Sequence, residues 1–377
     1  MNQVKTIGIV GGGQLGRMLT EAAKPMGLAV VVVDPNENCP AAQVGAKQVI
    51  APFDDPIALK KLAEQTDVMT IEIEHTNSDV LARLKEQGFL VQPAPDSLAT
   101  IQDKLAQKQF LTASGVRVAD FREINDRQSA LQALEQFGGQ MLIKTRRGGY
   151  DGRGNRLVKN FQEIETALEN FKYQPLYAEQ FISFAKELAV MVARDKDGHI
   201  ATYPVVETIH SRNICETVLA PAPIDEKLRQ GASTMAMNVA RHLHGSGVFG
   251  IEMFLTDDNQ IMVNEIAPRV HNSGHYTIEA CSTSQFTQHL LAITGQPLEP
   301  TDMKVPAAVT INILGRRNGP VHLSGITQAE KIPGLAVHIY GKAKTKIDRK
   351  MGHLTATGNS LVEVRQRAEK ARNLIDI

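Results

Sequence analysis

Two apolar runs, Val248–Leu255 and Gln260–Ile266, flank the short stretch Asp257–Asn259, and each carries a glutamate. Runs this rich in Val, Ile and Phe read as strands, and the polar stretch between them reads as a turn. Together they form an antiparallel hairpin. Glu252 lies in Val-Phe-Gly-Ile-Glu-Met-Phe-Leu and Glu265 in Ile-Met-Val-Asn-Glu-Ile-Ala-Pro. A lone carboxylate inside an apolar strand is costly. The hairpin brings the two acids close, and facing carboxylates repel unless a proton or a cation separates them. Mg²⁺ shared with substrate phosphates is the natural occupant, with Mn²⁺ an alternative. The competing reading has each glutamate facing solvent on an alternating strand; it serves for one acid more readily than for both.

The chain of 377 residues has room for two or three domains. Its 41 basic and 41 acidic side chains cancel. This argues against a broad nucleic-acid or membrane surface but leaves room for a local anion pocket. No apolar run is as long as a membrane span, and the N-terminus lacks a signal-peptide pattern. Cys39, Cys215 and Cys281 lie far apart and form no CxxC pair, which fits a reducing compartment. The expectation is a cytoplasmic enzyme.

The first stretch alternates apolar strands (Thr6–Val10, Ala29–Val33, Val68–Ile73) with helices (Gln14–Met26, Ser78–Gln87), the pattern of a parallel α/β sheet. Pro93 and Pro95 place a boundary near Asp96. The next region mixes helices (Lys104–Ser114, Ser129–Phe137, Phe161–Phe171) with strands (Met141–Thr145, Leu176–Ile182, Lys186–Arg194, Ala201–Glu207), an α+β pattern. Gly295, Pro297 and Pro300 mark a second boundary. The remainder has strands, a basic stretch from Lys342 to Lys350 and a last helix from Leu361.

Two glycine loops compete for a phosphate. Gly11, Gly13 and Gly16 form GxGxxG between a strand and a helix, and Asp34 ends the next strand, which by itself suggests a dinucleotide-binding dehydrogenase. Arg17 and Met18 stand where a P-loop has Lys-Ser/Thr. Any tight βα turn favours glycine, so the loop has a purely structural reading too. The stretch Lys144-Thr-Arg-Arg-Gly-Gly-Tyr-Asp-Gly-Arg-Gly154 packs four glycines and four cations into eleven residues. Its N–H groups and cations suit phosphate oxygens, with Lys144 as a point charge, although a solvated hairpin turn has a similar composition. Glu179-Gln-Phe-Ile182 and then Glu187 suit an adenine ring and a ribose.

A lysine strand, a glycine loop, a Glu-Gln-Phe strand and an acidic hairpin ending in Asn-Glu resemble the ATP-grasp ligases. Five strings further resemble the N5-carboxyaminoimidazole ribonucleotide synthetase family over essentially the whole chain. They are Gly11-Gly-Gly-Gln-Leu-Gly-Arg-Met18, Glu72-Ile-Glu-His75, Gly148-Gly-Tyr-Asp-Gly-Arg-Gly154, Asn264-Glu-Ile-Ala-Pro-Arg-Val-His-Asn-Ser-Gly-His275 and Arg349-Lys-Met-Gly-His353. The resemblance implies a Rossmann-like α/β domain (1–96), an ATP-grasp domain (97–296) and a small C-terminal domain (297–377).

It also implies ATP-dependent carboxylation of aminoimidazole ribonucleotide by bicarbonate through carboxyphosphate, in a homodimer. By resemblance ATP is held by Lys104, Lys144, Gly148, Gly149, Tyr150, Asp151, Gly152, Arg153, Gly154, Glu179, Gln180, Phe181, Ile182, Glu187, His210, Asn264 and Glu265, and the metal by Glu252 and Glu265. Lys104 stands where some relatives have Arg. Arg269 is expected to steady carboxyphosphate and Asp151 to serve as base, with Tyr150, His271 and Asn272 orienting the amine. Gln14, Glu72 and His75 are expected on the imidazole-ribose side, and Lys342, Arg349 and Lys350 at the substrate phosphate, a stretch that also reads as a solvated basic face. His271 and His275 have the i, i+4 spacing of a metal pair, but their neighbours supply no third ligand, so hydrogen bonding is expected of them. The alternatives are another ATP-grasp enzyme (a glycinamide ribonucleotide transformylase or a biotin-carboxylase-like protein), an NAD-dependent dehydrogenase, or a non-catalytic nucleotide sensor.

Overall fold

The computed structural model describes residues 4–149, 152–172 and 174–377. Its first region is a parallel sheet in the order Lys47–Val49, Ala29–Val33, Thr6–Val10, Val68–Ile71. Successive side chains point to opposite faces. Ile7, Ile9, Val30 and Val32 pack on helix Gln14–Ala23, while Val10, Val31 and Val33 pack on helices Pro56–Glu64 and Ser78–Glu86. Both faces are covered, which explains the unbroken β-branched runs. The first helix stops short of the expected Met26 because Pro25 has no N–H to continue the ladder.

A small antiparallel sheet follows, ordered Phe121–Ile124, Leu176–Gln180, Met141–Thr145, Asn155–Val158. Helices Arg127–Gln136 and Phe161–Asn170 pack Ala130, Ala133, Ile164 and Ala167 against its Met141, Ile143 and Ala178.

The large sheet has nine strands. Its path runs Ile261–Ala267, Gly247–Leu255, Lys186–Arg194, Val206–Ser211, Ile214–Ala220, Ala307–Leu314, Lys350–Gly358, Leu335–Ile339, with Ile200–Thr202 paired beside Lys186–Arg194. Every pairing is antiparallel. Strands from either side of the Gly295–Pro300 stretch pair directly, so one sheet spans that punctuation. Helices Glu226–His242 and Leu361–Leu374 cover one face. The other face carries the polar site.

Sequence periodicity missed several elements. The expected strand Ala201–Glu207 is two strands, because Pro204 cannot donate to the ladder. Helix Glu226–His242 was not anticipated, because its buried stripe is mostly alanine: Ala232, Ala236 and Ala240 with Val239. Helix Gln285–Ile293 buries Gln285, Gln288 and His289 along with its apolar side chains, so it shows no polar face to read. His289 Nδ1 accepts from the Val248 N–H at 3.0 Å. Its Nε2–H therefore donates to Thr70 Oγ1 at 2.8 Å, joining the first sheet to the large one. Burial drops its pKa to about 4, so this link is uncharged.

Candidate active site

The hairpin forms as expected, with Glu252 directly opposite Glu265. The register shifts beside Glu252, and Asn264 is the extra residue of a bulge. Strict alternation would put Asn264 and Glu265 on opposite faces. Both are instead half-buried between the fully buried Val263 and Ile266, as a bulge that re-aims a side chain allows. Lys104 Nζ lies 2.8 Å from Glu265 Oε2 and keeps that carboxyl below its ordinary value despite burial. Among the described residues Glu252 has no lysine or arginine partner. Burial, then the Glu265 charge, raise it to about 7. His271 Nε2 is 3.5 Å from Glu252 Oε1. Burial and then Arg269 push the His271 pKa well down, so its ring is neutral.

The same face continues onto the next strands. Glu187 Oε2 is 2.5 Å from His210 Nδ1. Burial opposes protonation of His210, but this carboxylate outweighs it and raises the imidazole's pKa. Lys350, from the distant C-terminal strand, acts electrostatically on both His210 and His271. Asn272 Nδ2 is buried and has no hydrogen-bond partner among the described residues. His275 does not join His271 as a ligand. It is buried, its ring lies 4.7 Å from that of His353, and its pKa falls to about 3.

The second glycine loop leaves the small sheet at Lys144 and Thr145. Any side chain at Gly154, which has φ 80°, would meet Thr145 Oγ1 at 2.5 Å. At its base, Asp103 caps helix Lys104–Ala113 by accepting from Leu105 and Ala106, and it also pairs with Arg146 at 2.6 Å. Tyr150 and Asp151 lie outside the described residues. Gly152 packs against Asn213, and Arg153 is exposed. Glu179 is not an open acceptor: Lys108 Nζ and Lys144 Nζ each lie 2.7 Å from its oxygens, and the Tyr177 hydroxyl donates to it at 3.2 Å. Gln180 ends its strand, and Phe181 is exposed just beyond it.

The first glycine loop is already filled. Gly13 N–H donates to Glu72 Oε1 at 2.6 Å and Gly16 N–H to Glu72 Oε2 at 2.7 Å. A methyl group at Gly13 would sit 2.6 Å from Glu72 Oε1, so glycine is needed to admit the carboxylate. Asp34 accepts from Gly12 and Asn36 and closes the turn. The dinucleotide reading fails because the Glu72 carboxylate occupies the N–H donors that a pyrophosphate would use, and Asp34, the acceptor a ribose would use, is spent on the turn. Gln14 opens the helix beside them, half-buried.

Arg269 Nη2 pairs with Glu74 Oε1 at 3.0 Å and Nη1 donates to the Val270 carbonyl, while its buried Nε has no partner among the described residues. A cavity of about 170 Å³ is bounded by Glu74, His75, Lys104, Arg147, Gly148 and Glu265, among others. Glu74, Arg147 and Lys108 were not singled out from the sequence. Glu74 was legible in the quoted Glu-Ile-Glu-His string, and Lys108 as a lysine one turn after Lys104. Lys342 Nζ donates to the Lys350 carbonyl at 2.7 Å, and burial, then Arg349, lower its pKa to about 7. Arg349 Nη1 donates to the Lys344 carbonyl at 2.7 Å.

A row of acids on one sheet, a lysine and glycine loop on a second, and a helix joining them define an ATP-grasp ligase. The ATP-grasp domain model matches residues 109–286, the ribonucleotide synthetase preATP-grasp domain residues 4–102, and the phosphoribosylaminoimidazole carboxylase C-terminal domain residues 308–367. The N5-carboxyaminoimidazole ribonucleotide synthase of Synechococcus elongatus is 39% identical, over 98% of this chain and 94% of its own. The phosphoribosylaminoimidazole carboxylase of Schizosaccharomyces pombe is 41% identical, over 100% of this chain and 69% of its own. The structure of the Thermotoga maritima synthetase superposes with a TM-score of 0.89 at 42% identity, covering 99% of both chains. That of the Aspergillus clavatus synthase, in complex with ADP and 5-aminoimidazole ribonucleotide, gives 0.90 at 36% identity over 99% of both. The chain belongs to the N5-carboxyaminoimidazole ribonucleotide synthetase family.

Proposed function

We propose that this chain carboxylates the exocyclic amine of 5-aminoimidazole ribonucleotide, consuming ATP and bicarbonate and releasing ADP and phosphate by way of carboxyphosphate. One observation carries the reading. The facing Glu252–Glu265 pair shares its sheet face with Lys350, delivered by a C-terminal strand, so a metal-nucleotide site adjoins a second cationic site. The nucleotide is assigned to Lys104, Lys144, the 148–154 loop, Gln180–Ile182, Glu187, His210, Asn264 and Glu265, with Glu179 the buried counter-ion of Lys144 and not itself a contact.

Glu252 and Glu265 fit a hard divalent cation, because both donors are carboxylate oxygens and the charge of one destabilises that of the other. Such a cation, Mg²⁺ or alternatively Mn²⁺, supplies charge neutralisation to the transferring phosphoryl group when bound. Around it, Lys104 and Lys144 orient the triphosphate, so positioning and electrostatics account for most of the acceleration. Arg269, braced by Glu74, offers its spare N–H to carboxyphosphate. Neutral His271 and Asn272 orient the amine, and Asp151 with Tyr150 is assigned the proton transfer on sequence grounds. Lys342, Arg349 and Lys350 take the substrate phosphate. A dianion beside Lys342 favours its charged form, against the burial that lowers it. Gln14, Glu72 and His75 line the ribose side.

The proposal includes the division at residues 96 and 296, a homodimer and a cytoplasmic location. Among the described residues no helix is long and apolar enough to cross a membrane. The test is ADP release with each substrate omitted in turn. Release should require both bicarbonate and the aminoimidazole ribonucleotide. Release indifferent to the ribonucleotide would overturn the assignment, and release with glycinamide ribonucleotide and formate would move the chain to the neighbouring transformylases.

A further inference from the structure

Helix Lys104–Ala113 carries two lysines one turn apart, on the same side. Lys104 reaches Glu265 on the large sheet, and Lys108 reaches Glu179 on the small one. Gln107, between them, accepts from the Ile266 N–H at 3.0 Å, fastening the helix to the large sheet. Lys108 is 2% exposed and Glu179 3%, so neither meets solvent. Glu179 shares its two oxygens between two ammonium groups, Lys108 on Oε1 and Lys144 on Oε2.

We infer that Lys108 is a positioning residue for ATP: by taking half of the Glu179 carboxylate, it leaves Lys144 with an uncompensated positive charge for the triphosphate. The charge count is simple. One carboxylate with one lysine sums to zero, and a Lys144 neutralised in that way offers little to an anion. One carboxylate with two charged lysines sums to +1, held in a buried site where a charge acts strongly; burial lowers the Lys108 pKa, and the Glu179 carboxylate opposes that fall. Glu179 is firmly ionised, because the two ammonium groups outweigh the burial penalty and hold it down to about 2. The same contact ties the small sheet to the large one through a single helix, so it also sets where Lys144 stands relative to Glu265.

This inference rests on the assignment of Lys144 to ATP, and the experiment separates the two. Steady-state KM values for ATP and for the ribonucleotide are measured for wild type, K144M, K108M and K108M/E179Q, with circular dichroism confirming the fold. K108M should raise KM for ATP by about 10- to 100-fold, the size of one lost charge-assisted contact, with kcat and the ribonucleotide KM little changed. Removing the acid as well should return most of that loss, because Lys144 is no longer neutralised. A merely structural Lys108 predicts the opposite, a double variant worse than the single one. Unchanged KM in K108M, or no recovery in the double variant, overturns the role of Lys108. Should K108M alone not fold, the double variant decides: KM for ATP near wild type supports the role, and a raised KM overturns it. Unchanged KM in K144M would instead remove the ATP assignment of Lys144, and the inference with it.

Discussion

Glu179, buried, and Glu252, half-buried, lie on adjoining sheets and sit at opposite ends of the carboxylate range. Two lysines hold Glu179 down to about 2. Burial and then a facing acid hold Glu252 up to about 7. Glu72 stands between them, a carboxylate accommodated by the backbone N–H groups of Gly13 and Gly16, with burial still raising it. The same side chain is thus a structural ion, a loop plug or half of a cation site according to what meets its oxygens. The small sheet has its compensating charge built in. The large sheet leaves negative charge uncompensated, and that is where a cation and its nucleotide belong.

The contrast predicts opposite stability effects for one substitution at two sites. Glu179→Gln strands two buried ammonium groups and should destabilise the protein by about 3–5 kcal/mol in urea unfolding. Glu252→Gln removes a repulsion and should cost no stability above neutral pH without metal. Equal losses would erase the distinction. Next in size, Glu265→Gln should lower turnover by about 10²- to 10³-fold while the fold persists, measured as ADP release. Turnover near wild type would sink the metal assignment. Glu72→Leu leaves two loop N–H groups without their acceptor and should destabilise by about 1–3 kcal/mol in the same assay. No loss would mean that the loop is held otherwise.

The smallest effect is a slope. The Glu252 pKa is raised in the fold from its ordinary 4.5 to about 7. Its contribution to stability is therefore present below pH 4.5 and lost as pH rises toward 7, by at most about 1.4 kcal/mol per pH unit. Glu179 has the reverse sign: its contribution is present above 4.5 and lost as pH falls toward 2. Urea titrations of metal-free protein at several pH values should show the first slope flattened in Glu252→Gln and retained in Glu265→Gln only in part, since Glu265 is one of its causes. A slope unchanged in Glu252→Gln would refute the assignment.

Much of the site was readable before folding. Two acids inside apolar runs on either side of a turn could only meet in a hairpin, and they do. The lysine strand and its loop were legible from composition. The Asn264 bulge was not, because periodicity assumes an unbroken ladder. Nor was the content of the first glycine loop: GxGxxG advertises N–H donors, and nothing local says that Glu72, far along the chain, takes them. Lys108 hid as an ordinary helical lysine. Helix Glu226–His242 hid because alanine carries little apolar contrast.

The sequence alone determined many of the element types, the two-glutamate hairpin, the inventory of lysines and arginines, and the family. These follow from short-range rules, in which a strand or a glycine turn is set by residues within a few positions. Tertiary structure decided which charges meet. Among the described residues it gave Glu179 two lysines, Glu265 one and Glu252 none, and it brought Lys350 within electrostatic reach of His210. Coulomb energy depends on separation in space and on how much water is excluded, and neither quantity is encoded in spacing along the chain.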